Sequence, residues 1–252
     1  MLLAMMEVFL SEQEKERYSR QMILPFLGED GQRRLKASTV FIAGAGGLGS
    51  ISALYLAAAG IGKIRIADRD SVSLSNLNRQ ILHGTEDLGK RKVHSALVRL
   101  KRLNPHVEVH AVEEEIKMEN VEELLGDAEV IVDATDNVET RRVLNVAGVR
   151  KGIPFVYGGV EGLSGMVTTF LPPRTPCFEC VFGEVATRAK AFGILGPVPG
   201  IIASIQALEV IKYLLGMEGR LEGRLLFFSG EQSAFTEIAI QRNRECKICG
   251  HL

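Results

Sequence analysis

The chain has 252 residues, 46% hydrophobic and 24% charged, which is a globular balance and excludes a disordered chain too poor in apolar surface to offset its ordering entropy. Its 26 glycines follow no Gly-X-Y period, which excludes collagen. With 30 Lys and Arg against 31 Asp and Glu and no tryptophan, it lacks the basic excess and stacking residues of a general nucleic-acid binder, so an anionic ligand is expected at a local site.

The first ten residues, Met1 to Leu10, are apolar. They lack a basic n-region and a small-residue cleavage site, so they do not read as a signal peptide, and Met5 or Met6 is an alternative start. No stretch reaches the ~18 apolar residues of a membrane span. A cytoplasmic protein without a membrane partner is expected.

Residues 11–36 read as polar helices, opened by a Ser11/Glu14 capping box. Thr39 to Ala43 is a short run of strand formers ending in Gly44-Ala45-Gly46-Gly47-Leu48-Gly49. A small-residue helix, Ser50 to Ala59, leads to a strand at Lys63 to Asp68. This is the βαβ order of a nucleotide-binding fold. The alternation continues: helix 90–103 ended by Asn104-Pro105, strand 107–112, helix 119–125, strand 129–132, helix 138–150 and strand 154–157. Beyond residue 160 strands are expected at 166–171, 225–228 and 235–240, with one apolar helix at 201–215. The expected fold is α/β and Rossmann-like: a mixed sheet, parallel in its first half and antiparallel in its extension, flanked by helices. A single domain covers 1–252, with N-terminal helices at 11–36, a nucleotide-binding half at 37–160 and a second half at 161–252.

In the glycine loop, Gly44 permits a tight turn and Gly46, beside Gly47, lets a phosphate approach the backbone. Gly49 lets helix and strand pack closely, and the helix N-terminus supplies free N–H groups for an anion. Asp68 ends the next strand, about 20 residues on, where a carboxylate meets a ribose hydroxyl. The loop alone does not choose the nucleotide, and an NAD-dependent dehydrogenase is its simplest reading. A Walker loop is absent from the sequence.

The next segment, Asp68 to Gln80, is too polar for a simple connection, and Lys90, Arg91 and Lys92 follow it. A dehydrogenase has little use for such cations. An enzyme that expels pyrophosphate needs them to neutralise developing charge. It also needs a carboxylate for magnesium, which Asp133-Ala134-Thr135-Asp136-Asn137 offers just past a strand end. Taken singly, Arg79 and Lys92 read equally as solvated helix charges; only the joint arrangement raises them.

Together these residues carry a resemblance. Gly44–Gly49, Asp68-x-Asp70, Ser75-Asn76-Leu77-Asn78-Arg79-Gln80, Gly89-x-x-Lys92 and Ala134-Thr135-Asp136-Asn137 resemble the ThiF/MoeB/HesA family. So do Arg17-Tyr18-Ser19-Arg20-Gln21 and Ser204-Ile205-Gln206-Ala207-Leu208-Glu209, and the likeness spans about residues 11–250. These are relatives of the ubiquitin-activating enzymes. The resemblance implies ATP-dependent adenylation of the C-terminal glycine of a ubiquitin-like sulfur carrier ending in Gly-Gly. The carrier carboxylate attacks the α-phosphorus and pyrophosphate leaves. It further implies that Asp68 holds the ribose, Asn76 lines the pocket, Arg79 and Lys92 meet the phosphates and Asp136 binds Mg2+. Arg20 would reach across a homodimer to the other subunit's ATP. The same chemistry serves thiamin, molybdenum cofactor, cysteine and thiolated-tRNA pathways, and the residues do not select among them.

Cys177-x-x-Cys180 and Cys246-x-x-Cys249 use all four cysteines of the chain. Two such pairs suit a closed tetrahedral Zn2+ site, which would be structural because four protein ligands leave no open position. The gap between the pairs far exceeds the ~15–20 residues of a single zinc ribbon. The metal would therefore tie the C-terminal tail to the middle of the fold. A redox pair or buried free thiols are the alternatives, and His251 is expected to be a bystander. The same knuckles occur in the family.

Many family members carry a further cysteine in a segment just before the late helix. Counting back from Gly193, Ala189 occupies that position here. With four cysteines on zinc, no thiol remains for covalent sulfur catalysis. The chain is then expected to stop at the acyl-adenylate, with sulfur from a separate donor and no fused sulfurtransferase domain. The readings set beside this one are adenylation of a tRNA base or small molecule, as in threonylcarbamoyladenosine dehydratases, an NAD-dependent oxidoreductase, and an inactive binding module. The stretch Tyr157 to Gly162 offers either a close approach for the carrier tail or a tight turn between strands.

Overall fold

In the computed structural model, which describes residues 8–183 and 193–252, the first strand is buried along its whole length (β1, Thr39–Ala43). A strand covered on both faces needs apolar residues in an unbroken run. Alternate side chains of β1 enter different cores: Val40 and Ile42 on one face, Phe41 and Ala43 on the other.

The remaining strands are β2 (Lys63–Ala67), β3 (Glu108–Val112), β4 (Val130–Asp133), β5 (Phe155–Glu161), β6 (Ser164–Phe170), β7 (Arg224–Ser229) and β8 (Ala234–Ala239). They form one eight-stranded sheet in the order β3-β2-β1-β4-β5-β6-β7-β8. Pairing is parallel from β3 through β5 and antiparallel from β5 to β8. The mixed α/β architecture expected from the sequence is therefore present.

The helices are α1 (Glu12–Met22), α2 (Gly28–Ala37), α3 (Gly47–Ala59), α4 (Lys92–Leu103), α5 (Val121–Leu125), α6 (Val138–Lys151), α7 (Phe178–Phe182) and α8 (Pro197–Leu214). The helices α3, α4 and α8 pack on one face of the sheet through Leu56, Leu100 and Val210. On the other face α5, α6 and α7 bury Leu125, Leu144 and Phe178 beside Phe155 and Phe170. The Ser11/Glu14 capping box is formed at the start of α1.

Three boundaries differ from expectation by three residues or more. The helix α3 begins at Gly47 rather than Ser50, because the glycine loop turns directly into it. The helix α8 begins at Pro197 rather than 201, as a proline suits the first helical turn, where its missing N–H costs nothing. The strand β5 runs to Glu161 rather than ending at Tyr157, so Tyr157–Glu161 is no turn. The space left by the absent Cβ atoms of Gly158 and Gly159 is taken by Gln206 of α8 and the Tyr157 hydroxyl. The short helix α7 and the 3-10 turns Leu74–Asn76 and Thr85–Asp87 add to the expected elements.

In this topology the chain runs from β1 outward through β2 to β3 and then crosses back to place β4 on the other side of β1, so the strand order reverses at β1. A crevice opens outside the carboxyl ends of strands at such a reversal. The register pairs Ala43 with Ala67 and with Asp133, so three strand ends come level there.

Candidate active site and cysteine cluster

The glycine loop follows directly from the end of β1, at that reversal. Gly44 has φ of 105°, which favours glycine, and a Cβ there would lie 2.6 Å from the Ala134 carbonyl oxygen. A Cβ on Gly49 would collide with the Gly44 carbonyl. Gly46 is different: its nearest neighbour would be Gln80 Nε2 at 3.7 Å. Packing thus explains Gly44 and Gly49, while Gly46 keeps open space beside the helix N-terminus. Among the described residues, the Gly46 and Gly47 N–H groups have no hydrogen-bond acceptor. Free donors at a helix start are what an anion needs.

Asp68 follows β2 and accepts two hydrogen bonds, from Ala45 N–H to Oδ2 (2.8 Å) and from Asp70 N–H to Oδ1 (2.8 Å). The carboxylate thereby joins the loop to the next strand while staying half-buried. Lys92 opens α4 and is only 7% exposed; its Nζ lies 3.0 Å from Asp70 Oδ2. A buried ammonium needs such a partner. Arg79 donates to the Ser75 carbonyl (3.0 Å) and Asn78 Oδ1 (3.1 Å), and its Cγ would lie 3.6 Å from a Cβ on Gly47. Asn76 accepts from Ser73 N–H (3.1 Å), closing the turn before Arg79.

Asp136 lies past β4, exposed, with only a long 3.5 Å contact from Asn137 Nδ2. Its neighbour Asp133 is fully buried and accepts from the Thr135 N–H (3.0 Å) and hydroxyl (2.6 Å) and from Arg141 Nε (2.9 Å). Arg141 Nη2 also donates to the Thr135 (2.8 Å) and Gly158 (3.0 Å) carbonyls. Burial works against the Arg141 charge, but Asp133 outweighs it and raises the guanidinium pKa. One carboxylate is thus neutralised inside the fold while Asp136 stays free to meet a cation. Burial also lifts the Tyr157 phenol, which stacks under Arg141 at 5.1 Å.

The structure therefore brings together Gly44, Gly46, Gly47, Gly49, Asp68, Asn76, Arg79, Lys92 and Asp136 around the ends of β1, β2 and β4. Arg20 is not joined to them. It is exposed on α1, with no hydrogen-bond or ion-pair partner among the described residues. His83 and Arg141 were missed in the sequence. His83 is buried, with Nε2 2.9 Å from the Ala45 carbonyl oxygen, and burial lowers its pKa. A lone histidine shortly after Gln80 carries no signal of that contact.

Cys177, Cys180, Cys246 and Cys249 place their Sγ atoms within 4.8 Å of one another. Separations of 3.8 Å (Cys177–Cys180), 3.6 Å (Cys177–Cys246) and 3.4 Å (Cys180–Cys249) match the tetrahedron edge of about 3.8 Å that follows from a Zn–S bond of about 2.3 Å. The donor set fits zinc. Burial pushes the Cys177 thiol up, so a thiolate there needs a cation. The cluster joins the tail to α7, which Asn145 of α6 holds by accepting from Phe178 N–H (2.9 Å). His251 is exposed and outside the cluster. Ala189 lies outside the described residues.

A mixed sheet with a glycine loop at its strand reversal and cations beside it defines a nucleotide-binding α/β protein. The ThiF family model matches residues 18–248, and the chain belongs to the ThiF family. It is 40% identical over 251 residues to a sulfur carrier protein adenylyltransferase of Thermus thermophilus, covering 95% of this chain and 92% of that one. It is 38% identical over 245 residues to the molybdopterin-synthase adenylyltransferase of Escherichia coli, covering 96% and 98%. Among solved structures, E. coli MccB with MccA-N7isoASN superposes with a TM-score of 0.84 at 24% identity, covering 93% of this chain and 75% of that one, a likeness of fold alone.

Proposed function

We propose that this chain is a nucleotidyltransferase that uses ATP to adenylate the C-terminal glycine carboxylate of a ThiS/MoaD-like sulfur carrier. The carrier carboxylate displaces pyrophosphate from the α-phosphorus and leaves an acyl-adenylate. One observation supports the reading: Asp68 anchors the glycine loop at the level ends of β1 and β2, Lys92 is bound to Asp70 just beyond it, and Asp136 follows three residues after the level end of β4. Adenylate transfer needs a ribose anchor, phosphate donors, cations for the departing pyrophosphate and a metal carboxylate together, and a dehydrogenase does not need the last two.

Asp68 retains acceptor capacity beyond its two backbone donors and takes the ribose hydroxyls, with Asn76 lining the same pocket. Lys92 and Arg79 stabilise charge on the departing pyrophosphate, while the Gly46 and Gly47 N–H groups cradle a phosphate. Mg2+ held by Asp136 would neutralise phosphate charge. Arg20 of the partner subunit completes the site in a homodimer, which fits its exposure and its lack of a partner among the described residues. Zn2+ on the four cysteines is structural. Residues 37–160 form the nucleotide half and residues 161–252 the carrier half.

With all four thiols drawn to one cluster, none is left for a thioester or persulfide, so sulfur comes from a separate donor. Among the described residues no helix is long and apolar enough to cross a membrane. A reduced zinc–thiolate site suits the cytoplasm.

The test is ATP–pyrophosphate exchange with a panel of carriers ending in Gly-Gly. Exchange that requires one carrier, and falls at least a hundredfold in Arg79→Ala and Asp136→Ala, supports the reading (roughly the weight of one electrostatic group). No exchange from folded, zinc-loaded protein with any carrier overturns it.

A further inference from the structure

We infer that His83 is a positioning residue for the nucleotide, holding the glycine loop in the form that presents the Gly46 N–H to an anion. The inference rests on the ATP reading above. His83 is 6% exposed, with Nε2 2.9 Å from the Ala45 carbonyl oxygen and Nδ1 2.9 Å from Ser95 Oγ on α4. A carbonyl only accepts, so Nε2 carries the proton and Nδ1 accepts from the Ser95 hydroxyl.

Two successive peptide planes are thereby held. The peptide between Gly44 and Ala45 is held by its N–H, which donates to Asp68 Oδ2 at 2.8 Å. The peptide between Ala45 and Gly46 is held by its carbonyl, on His83. In a planar trans peptide the N–H points opposite to the carbonyl. The Gly46 N–H therefore faces away from the buried imidazole.

The alternative conformation is specific. An α-helix would pair the Ala45 carbonyl with the Gly49 N–H, the i to i−4 bond. That bond is not formed; the earliest one is Ser50 N–H to the Gly46 carbonyl, at 2.9 Å. His83 takes the carbonyl that would otherwise wind α3 back by one residue into the anion cradle.

The experiment compares His83→Phe, which keeps a ring and loses the donor, with His83→Gln, whose side-chain amide can donate to the same carbonyl. ATP affinity is read by calorimetry and the KM values for ATP and carrier by pyrophosphate exchange. His83→Phe is expected to weaken ATP binding roughly tenfold, as loss of one hydrogen bond to a buried carbonyl does, with carrier KM unchanged. His83→Gln is expected to recover most of it. Ser95→Ala, which frees the ring without touching the loop, is expected to shift ATP affinity the same way by less. ATP binding unchanged in His83→Phe, or equal loss in His83→Phe and His83→Gln, overturns the inference. If His83→Phe does not fold, unchanged ATP affinity in Ser95→Ala overturns it. Wild-type protein that binds no ATP sinks the nucleotide reading itself, before any variant is compared.

Discussion

Arg141 Nε lies 2.9 Å from Oδ2 of Asp133, a carboxylate with no solvent exposure, at the base of the loop that carries Asp136. The same guanidinium reaches the carbonyls of Thr135 and Gly158, so one side chain binds the end of β4, its loop and β5 together. Removing it leaves Asp133 buried and uncompensated. Arg141→Ala is expected to cost about 3–5 kcal/mol, measured by urea denaturation. A cost below about 1 kcal/mol would show that the pair is not what holds this corner.

The glycine loop allows a paired test. Gly49→Ala drives a methyl into the Gly44 carbonyl and is expected to lower stability by several kcal/mol, on the order of an overpacked core. Gly46→Ala meets nothing nearer than 3.7 Å and should fold normally. On the proposed reading its methyl would stand where a phosphate approaches, so ATP KM is expected to rise about tenfold or more. A Gly46→Ala protein with wild-type ATP affinity would move the phosphate away from this loop.

The cysteine cluster predicts a stoichiometry. Purified protein should contain one zinc per chain, and Cys249→Ser should lose it together with thermal stability. Chelation should loosen residues 240–252 and α7 before the nucleotide half, read by hydrogen exchange. Retained zinc in Cys249→Ser would contradict a four-thiolate site.

Asp87 supplies a pH dependence. Burial on its own would raise its pKa, but the Gly84 N–H and Lys90 outweigh it and hold the carboxyl at about 2, against an ordinary 3.8. A carboxyl depressed on folding stabilises the native state above its unfolded pKa, and that contribution is lost as pH falls through the folded one. Asp87→Asn should therefore be less stable than wild type at neutral pH, with the gap closing between about pH 4 and 2. A gap that stays constant over that range would show that Asp87 acts through something other than its charge.

Much of this protein is local and was therefore readable. The apolar run of β1, the glycines after it, the Ser11/Glu14 box and the Cys-x-x-Cys pairs need only near neighbours in the chain. So the α/β class, the nucleotide loop, Asp68 and the cysteine quartet could be named from residue types and spacing. The interior of the site is another matter. His83 meets Ala45 across 38 positions, and Gln206 donates to the Asp133 carbonyl (2.7 Å) across 73. Nothing periodic marks either residue. Their partners are backbone carbonyls, which every residue carries, so side-chain identity gives no hint of which one is met.

The ends of β5 and α8 were misjudged for a related reason. Gly158 and Gly159 look like a turn by composition, yet pairing with β6 and packing against Gln206 make them strand. Short-range chemistry determined the elements, the loop and the ligand set of this chain. The register that sets Ala43 level with both Ala67 and Asp133, and so gathers the site, was decided by packing both faces of one sheet, a condition on the whole chain rather than on any segment of it.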